Sequence, residues 1–379
     1  MQEFKPLSFP PPTKPWWHHL IWLLPAAVFI LGGNWVKNRF FSKPAFIAKK
    51  PLETNQPPVR TNAFVPPVVT NAVTNITVAK PPVPMADFRD FKPHYPKDEN
   101  ELQIELARRG FSPGSIDGVG GEQTATALKA FQRASGLEQT GQLDRLTRGQ
   151  MMIQTPPLTL YEISTNDTAR LLPMGTGWTE KSKQERLDYV TLQELVAEKF
   201  HCSPKFISRL NPEVAWEKAG AATMIIVPNI TAVTNSRTTK AGSIRINLTR
   251  KTLQVFDIQT NLLAHFPCSI AKRVEKRPVG DLAITVVARN PNYTFDPDNF
   301  PESPEARQKT GKLILNPGPN NPVGSVWIGL NLAGYGIHGT PEPEKIGRTE
   351  SIGCFRLANW NAEHLFNLVT IGTPVFVEP

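Results

Sequence analysis

Cys354 and His338 stand sixteen residues apart near the C-terminus, within the strings Ser351-Ile-Gly-Cys-Phe-Arg356 and Ile337-His-Gly-Thr340. A thiolate attacks carbonyl carbon well, but an ordinary thiol is mostly protonated at neutral pH and needs a base beside it. Histidine suits that task, because it can take the thiol proton and later return one to a leaving amine. Gly353 leaves the backbone free to turn, so N–H groups around Cys354 and Ser351 can face a tetrahedral oxyanion. The chemistry implied is acyl transfer through a thioester. A buried structural cysteine beside a core histidine is the competing reading of the two residues alone.

The elements that must position them read mostly as strands. From Ser243 onward, Ile244, Ile246 and Leu248 alternate with polar residues, Leu253 and Val255 repeat the pattern, and Leu262 to Ile270 continues it. Gly, Pro and Asn cluster between the runs, as in Asn316 to Pro322. Helical spacing returns at Asn361 to Val369, and Pro374 to Val377 closes the chain as a strand.

The whole chain has 379 residues, 37 prolines, a formal charge of +9 and three cysteines. That length implies two or three folded units. Basic residues are scattered rather than interleaved with aromatics, which excludes a nucleic-acid groove and leaves attraction to an anionic polymer. Cys202, Cys268 and Cys354 form no CxxC and no metal-site spacing, and at least one is free in a monomer. Cys202 and Cys268 lie in apolar stretches and read as core residues, with a disulfide as the alternative.

Trp16 to Val36 is dominated by apolar residues, uncharged from Leu20 to Gly33, with Trp16, Trp17, Trp22 and Trp35 along it. Such a stretch reads as an uncleaved single-pass signal anchor over 20–36, preceded by a cytoplasmic segment 1–19. Lys37, Arg39, Lys43, Lys49 and Lys50 follow it while only Lys5 and Lys14 precede it, so the positive-inside rule opposes an external C-terminus. Residues 37–96, with Pro51, Pro57, Pro58, Pro66, Pro67, Pro81, Pro82 and Pro84, read as an extended tether.

Two small modules follow. In 97–155, Asp98 caps a helix that ends at Gly110, a second helix runs from Thr124 to Phe131 and stops at Gly136, and a third follows Asp144. Gly110-Phe111, Ile116-Asp117-Gly118, Thr124 to Gln132, Gly136-Leu137, Thr140-Gly141 and Asp144 occur in the order of the peptidoglycan-binding-like domain, which this segment resembles. Within 156–232, Tyr189 to Gln193, Leu195 to Phe200, Phe206 to Pro212 and Ile225 to Pro228 suggest strand, helix, helix, strand. That order resembles a LysM-like module in a degenerate form, since the family's usual Gly-Asp-Thr-Leu turn is absent, and it reads either as a glycan-binding unit or as a structural spacer.

Residues 241–379 resemble the L,D-transpeptidase catalytic domain through Phe266-Pro-Cys-Ser269, Pro278-Val-Gly280, Pro317 to Pro322, Gly334 to Pro341, Ser351, Gly353, Cys354, Arg356 and Gly372 to Val375. The resemblance implies that Cys354 forms a thioester with a donor stem peptide and that His338 activates it, oriented by the Gly339 carbonyl. Arg356, Tyr335 and Thr340 become substrate-side residues, and Ser351 and Gly353 shape the oxyanion loop. The family's usual Ser-His-Gly-Cys is departed from at Ile352, which leaves the base role to His338; His364 reads as a helix-surface residue. No cofactor or metal is implied. The expected protein is thus multidomain: a mainly β catalytic domain after a three-helix bundle and a small α+β module, held to the membrane by an N-terminal helix. The expected partners are peptidoglycan stem peptides and glycan strands, in the periplasm or wall space. Cross-linking is the expected reaction, carboxypeptidase action its side activity, and a non-catalytic membrane-to-wall tether the alternative.

Overall fold

The computed structural model describes residues 91–231, 239–349, 351 and 353–379. The expected anchor over 20–36, nearly all of the tether and Ile352 lie outside them. Among the described residues no helix is long and apolar enough to cross a membrane.

In the first module, α1 (Glu99–Arg108), α2 (Glu122–Ala134) and the short α3 (Arg145–Gly149) pack together. Asp98 caps α1 by accepting from the Glu101 N–H at 2.9 Å, and Asp144 caps α3 by accepting from the Thr147 N–H at 2.8 Å. Gly110 ends α1 in the left-handed region, at φ +87°. The module also takes in His94, whose backbone bridges Ile153.

The middle segment contains β1 (Leu158–Glu162), α4 (Thr165–Thr168), α5 (Trp178–Ser182), α6 (Leu192–Lys199), α7 (Pro204–Leu210) and β2 (Met224–Pro228). β1 and β2 pair antiparallel, from Leu158 opposite Pro228 to Glu162 opposite Met224. Here the expected first strand is corrected. Tyr189 to Gln193 does not pair; Thr191 caps α6, accepting from the Glu194 N–H, while the Glu194 carboxylate accepts from the Val190 and Thr191 N–H groups. The Thr-x-x-Glu capping box outweighs the apolar spacing, and Leu158–Glu162 supplies the strand.

The C-terminal segment contains β3 (Ser243–Asn247), β4 (Thr252–Phe256), β5 (Leu262–Pro267), β6 (Gly280–Arg289), β7 (Tyr293–Phe295), α8 (Pro304–Arg307), β8 (Leu313–Leu315), β9 (Val326–Leu330), β10 (Gly336–His338), β11 (Phe355–Arg356), α9 (Asn359–Leu368) and β12 (Pro374–Glu378). Eight strands form one sheet in the order β11-β10-β9-β6-β12-β3-β4-β5, and β7 pairs β8 separately. The expected alternation holds in β3, where Ile244 and Ile246 are buried and Arg245 is exposed. Its core gathers Ile244, Val255, Phe266, Ile328, Ile337 and Val375 from the sheet with Leu365 from α9. Full burial of each such side chain contributes roughly 1.5–3 kcal/mol.

β5 departs from alternation, being buried at every position from Leu262 to Pro267. One side joins the sheet core, while Leu262 packs with Leu106, Phe111 and Phe131 of the first module. The Ser112 N–H donates to the His265 carbonyl at 2.9 Å, and the His265 N–H donates to the Gly110 carbonyl at 3.0 Å. The first module therefore covers an otherwise open sheet edge. Cys202 and Cys268 are both buried free thiols, as the core reading expected.

Burial excludes protons from three imidazoles, pushing His201 down to about 3 and His265 and His338 down to about 4. Glu198 moves the other way, pushed up to about 7 by burial. The unfolded chain binds the histidine protons that the native state excludes, so their contribution is complete above the ordinary imidazole value and is lost as pH falls below it. Glu198 favours the native state on acidification over a similar range, and three histidines outweigh one carboxyl. Denaturation midpoints measured from pH 7 to about pH 4.5 should fall, with a loss on the order of 5 kcal/mol.

Candidate active site

β9, β10 and β11 form one end of the sheet and carry the reactive residues. β10 lies antiparallel to β9 and parallel to β11, so His338 stands opposite Trp327 on one side and Arg356 on the other. The His338 carbonyl accepts from the Leu357 N–H at 2.8 Å, and the Trp327 and His338 rings stack with centroids 5.6 Å apart. Those contacts fix the ring plane. His338 Nδ1 then lies 2.6 Å from the Gly339 carbonyl oxygen, a geometry that requires the proton on Nδ1. Nε2 is left as the basic nitrogen.

Cys354 sits two residues before Arg356, half-buried, immediately ahead of β11. Its thiol donates to the Gly334 carbonyl at 3.4 Å. The Ser351 hydroxyl donates to the Cys354 carbonyl at 2.5 Å, which closes the loop ahead of the strand. Gly353 packs closely against Tyr335, since a Cβ there would meet the ring at 3.3 Å and displace it by a few tenths of an ångström. Cys354, His338, Ser351, Gly353, Tyr335 and Arg356 all line one cavity of about 780 Å³.

Thr340 does not. It is buried, its N–H donating to Asn359 Oδ1 at 3.0 Å and its hydroxyl accepting from the Glu342 N–H at 3.3 Å. The chain turns inward after Gly339, which places Thr340 behind the cavity rather than in its lining. His364 lies on α9 as expected and lines a different cavity, edge-on to Phe266 at 5.4 Å.

Asn359, at the start of α9, escaped the sequence reading. Its Oδ1 accepts from the N–H groups of Thr340 and Ser325 at 3.0 and 3.2 Å. Its Nδ2 donates to Glu198 Oε1 at 3.0 Å and to the Pro319 carbonyl at 3.1 Å. A Cβ on Gly339 or Gly324 would fall 2.1 or 2.0 Å from Oδ1, so both positions need glycine. An asparagine opening a helix is a common cap, and its sequence carries no sign of this wider role.

Electrostatically the resting pair is neutral. Burial pushes the Cys354 thiol above its ordinary value, against the backbone N–H of Gly336 and the Arg356 charge, which both favour thiolate. Burial pushes His338 down, opposed by the Gly339 carbonyl and reinforced by Arg356. A thiolate beside an imidazolium is therefore the minor form, and proton transfer to Nε2 must accompany attack.

Residues 241–377 match the family model of the L,D-transpeptidase catalytic domain, and residues 98–151 match that of the "Putative peptidoglycan binding domain". The "Putative L,D-transpeptidase YkuD" of Bacillus licheniformis is 27% identical over 189 residues, covering 50% of this chain and 94% of that protein. The "Putative L,D-transpeptidase YqjB" of Bacillus subtilis is 33% identical over 117 residues, covering 30% of this chain and 57% of its own length. Among solved structures, L,D-transpeptidase 3 from Mycobacterium tuberculosis aligns with 42% of this chain and 76% of its own, at 17% identity and a TM-score of 0.29. The chain thus carries an L,D-transpeptidase catalytic domain at its C-terminus, preceded by a peptidoglycan-binding domain.

Two outcomes test this geometry. Iodoacetamide should label Cys354 ahead of Cys202 and Cys268, since burial pushes Cys268 up to about 12 and Cys202 further. Its rate should climb steadily from about pH 6 to about pH 9; a plateau near neutrality would reveal a preformed ion pair. Asn359→Ala should cost roughly 2–4 kcal/mol in a denaturant titration, because it strands buried N–H groups at Thr340 and Ser325.

Proposed function

We propose that the protein is a cysteine-dependent L,D-transpeptidase that remodels peptidoglycan. The observation that carries the reading is the Nδ1 contact of His338 with the Gly339 carbonyl, which leaves Nε2 as base in the cavity that also holds Cys354. The substrate is the amide between the L-centre of a diamino acid and a terminal D-alanine. As the Cys354 sulfur attacks the carbonyl carbon, its proton passes to His338 Nε2. The C–N bond then breaks, Nε2 protonates the departing D-alanine amine, and a thioester remains. An amine from a neighbouring stem peptide attacks the thioester, gives its proton to Nε2, and expels the sulfur, which recovers that proton. Water in place of the amine makes the same steps a carboxypeptidase reaction.

Arg356 acts on both groups from the adjoining strand, where its charge favours the thiolate but opposes the proton that His338 takes up. It also suits a substrate carboxylate. Ser351 contributes by holding the Cys354 loop closed, and Tyr335 by forming the cavity wall against Gly353. The first module supplies wall attachment, and the middle segment is proposed as a LysM-like glycan-binding unit. An N-terminal single-pass anchor would keep the catalytic domain in the periplasm or wall space.

The test is incubation with muropeptides followed by mass spectrometry. A Cys354 adduct lacking D-alanine should form in the wild type. It should be absent from Cys354→Ala and fall by roughly 10²–10⁴ in rate in His338→Ala, the span ordinarily supplied by a positioned base. An alkylatable, folded preparation that yields neither adduct nor free D-alanine would leave the protein a non-catalytic tether.

A further inference from the structure

Trp178 lies outside the segment that matches the catalytic domain, yet it lines the cavity that holds Cys354. It opens α5 in the middle segment, and its indole stacks on Phe295 with centroids 4.3 Å apart and planes 14° from parallel. Phe295 in turn stacks on Phe300 at 5.1 Å. The next residue is pinned as well, the Thr179 N–H donating to Glu305 Oε1 at 3.2 Å. Behind this, the Leu187 N–H donates to the Pro317 carbonyl and the Leu187 carbonyl accepts from the Asn320 N–H, at 2.9 and 3.0 Å. Gly318 makes that approach possible, since a Cβ there would fall 2.0 Å from the Leu187 oxygen. The middle segment is clamped to the active-site loops, and Trp178 is a fixed part of the cavity wall.

The link to the nucleophile runs through Tyr293. Its phenol is close enough to Cys354 for a thiolate charge to raise its pKa, after the larger effect of burial. Its ring centroid is 6.2 Å from that of Trp178. Trp178, Tyr293 and Cys354 thus line one cavity. A cavity of about 780 Å³ is in the upper part of the usual range for ligand sites, and a terminal D-alanine amide fills only a fraction of it. The remaining wall combines this held indole with Asn292 and Asn299. Phe295 takes one face of the indole and the Lys181 ammonium lies 5.9 Å from its ring centroid, so the indole is an immobile apolar wall that loses little entropy on binding and offers contact to the C–H face of a pyranose. Asparagine amides present both donors and acceptors, as hydroxyl and N-acetyl groups require.

We infer that Trp178, with Asn292 and Asn299, forms a subsite for a sugar ring of the glycan strand that carries the donor stem peptide, so that the middle segment takes part in substrate selection. The inference rests on the transpeptidase reading and names the part of the substrate which that reading leaves open. Two donors separate them: a free tetrapeptide stem and the same stem on its N-acetylated disaccharide. In the full chain, Trp178→Ala should raise KM for the disaccharide form by about tenfold, with kcat and the KM of the free stem within about twofold. Trp178→Phe, which keeps a ring on Phe295, should lose less. Iodoacetamide labelling of Cys354 should be unchanged in both variants, which reads an intact site.

Equal losses on the two donors, or none on either, would overturn the inference and leave transpeptidation standing. If the wild type turns over neither donor, the transpeptidase reading fails. Calorimetric binding of the two donors to wild type and Trp178→Ala then decides the subsite: selective loss with the disaccharide form supports it, and equal affinities remove it.

Discussion

The buried amide of Asn359 is the point on which the active-site end of the sheet depends. An asparagine amide offers two acceptor positions and two donor hydrogens, and here two backbone N–H groups, a carbonyl and a carboxylate take them up. Two of those partners, Ser325 and Thr340, flank the crossing of β9 and the turn after β10. Gly339 lies inside that turn. The direction of its carbonyl, and so the protonated nitrogen of His338, follows from an amide that never reaches the cavity. A third partner, Glu198, belongs to α6 of the middle segment, so the same side chain joins that segment to the catalytic sheet.

Burial has opposite effects on the two reactive groups and a single consequence. It raises the thiol and lowers the imidazole, which together stabilise the uncharged pair. Arg356 favours the thiolate but opposes the imidazolium, so it does not create the ion pair. The site is thereby built to hold its proton until a carbonyl carbon arrives, and the nucleophile is spared the oxidation and alkylation that a resting thiolate invites.

Much of this was legible in the residues. Alternation located β3 and β4, Asp98 and Asp144 announced helix starts, and Cys354, His338 and Gly339 were identified with the carbonyl as the orienting group. The contact at Gly339 has the form expected. What escaped was set by neighbours distant in sequence. β5 is buried on both sides because a helical module covers it, which strand periodicity cannot report. Leu158–Glu162 pairs with a strand more than sixty residues away, whereas Tyr189 to Gln193 looked like a strand until Thr191 and Glu194 are read as a capping box. Thr340 and Asn359 meet for the same reason. A threonine beside the histidine suggests substrate contact, and only the inward turn of the chain hands it to an asparagine nineteen residues on.

The brevity of the last two strands explains why so many outside contacts converge here. β10 has three residues and β11 two, at the end of the sheet, and strands this short supply few ladder hydrogen bonds to hold a catalytic geometry. Additional order must come from other elements. The Ser351 hydroxyl braces the loop before β11, and the Ser269 and Arg356 backbones exchange hydrogen bonds, N–H to carbonyl in both directions, at 2.9 Å. Asn359 braces the turn after β10. The middle segment adds Glu198 behind that turn and the Leu187 backbone beside the Pro317 to Asn321 loop. Removing the middle segment would therefore strip hydrogen bonds from the scaffold of His338 itself. The accessory segment and the catalytic sheet form one mechanical unit, whatever each binds.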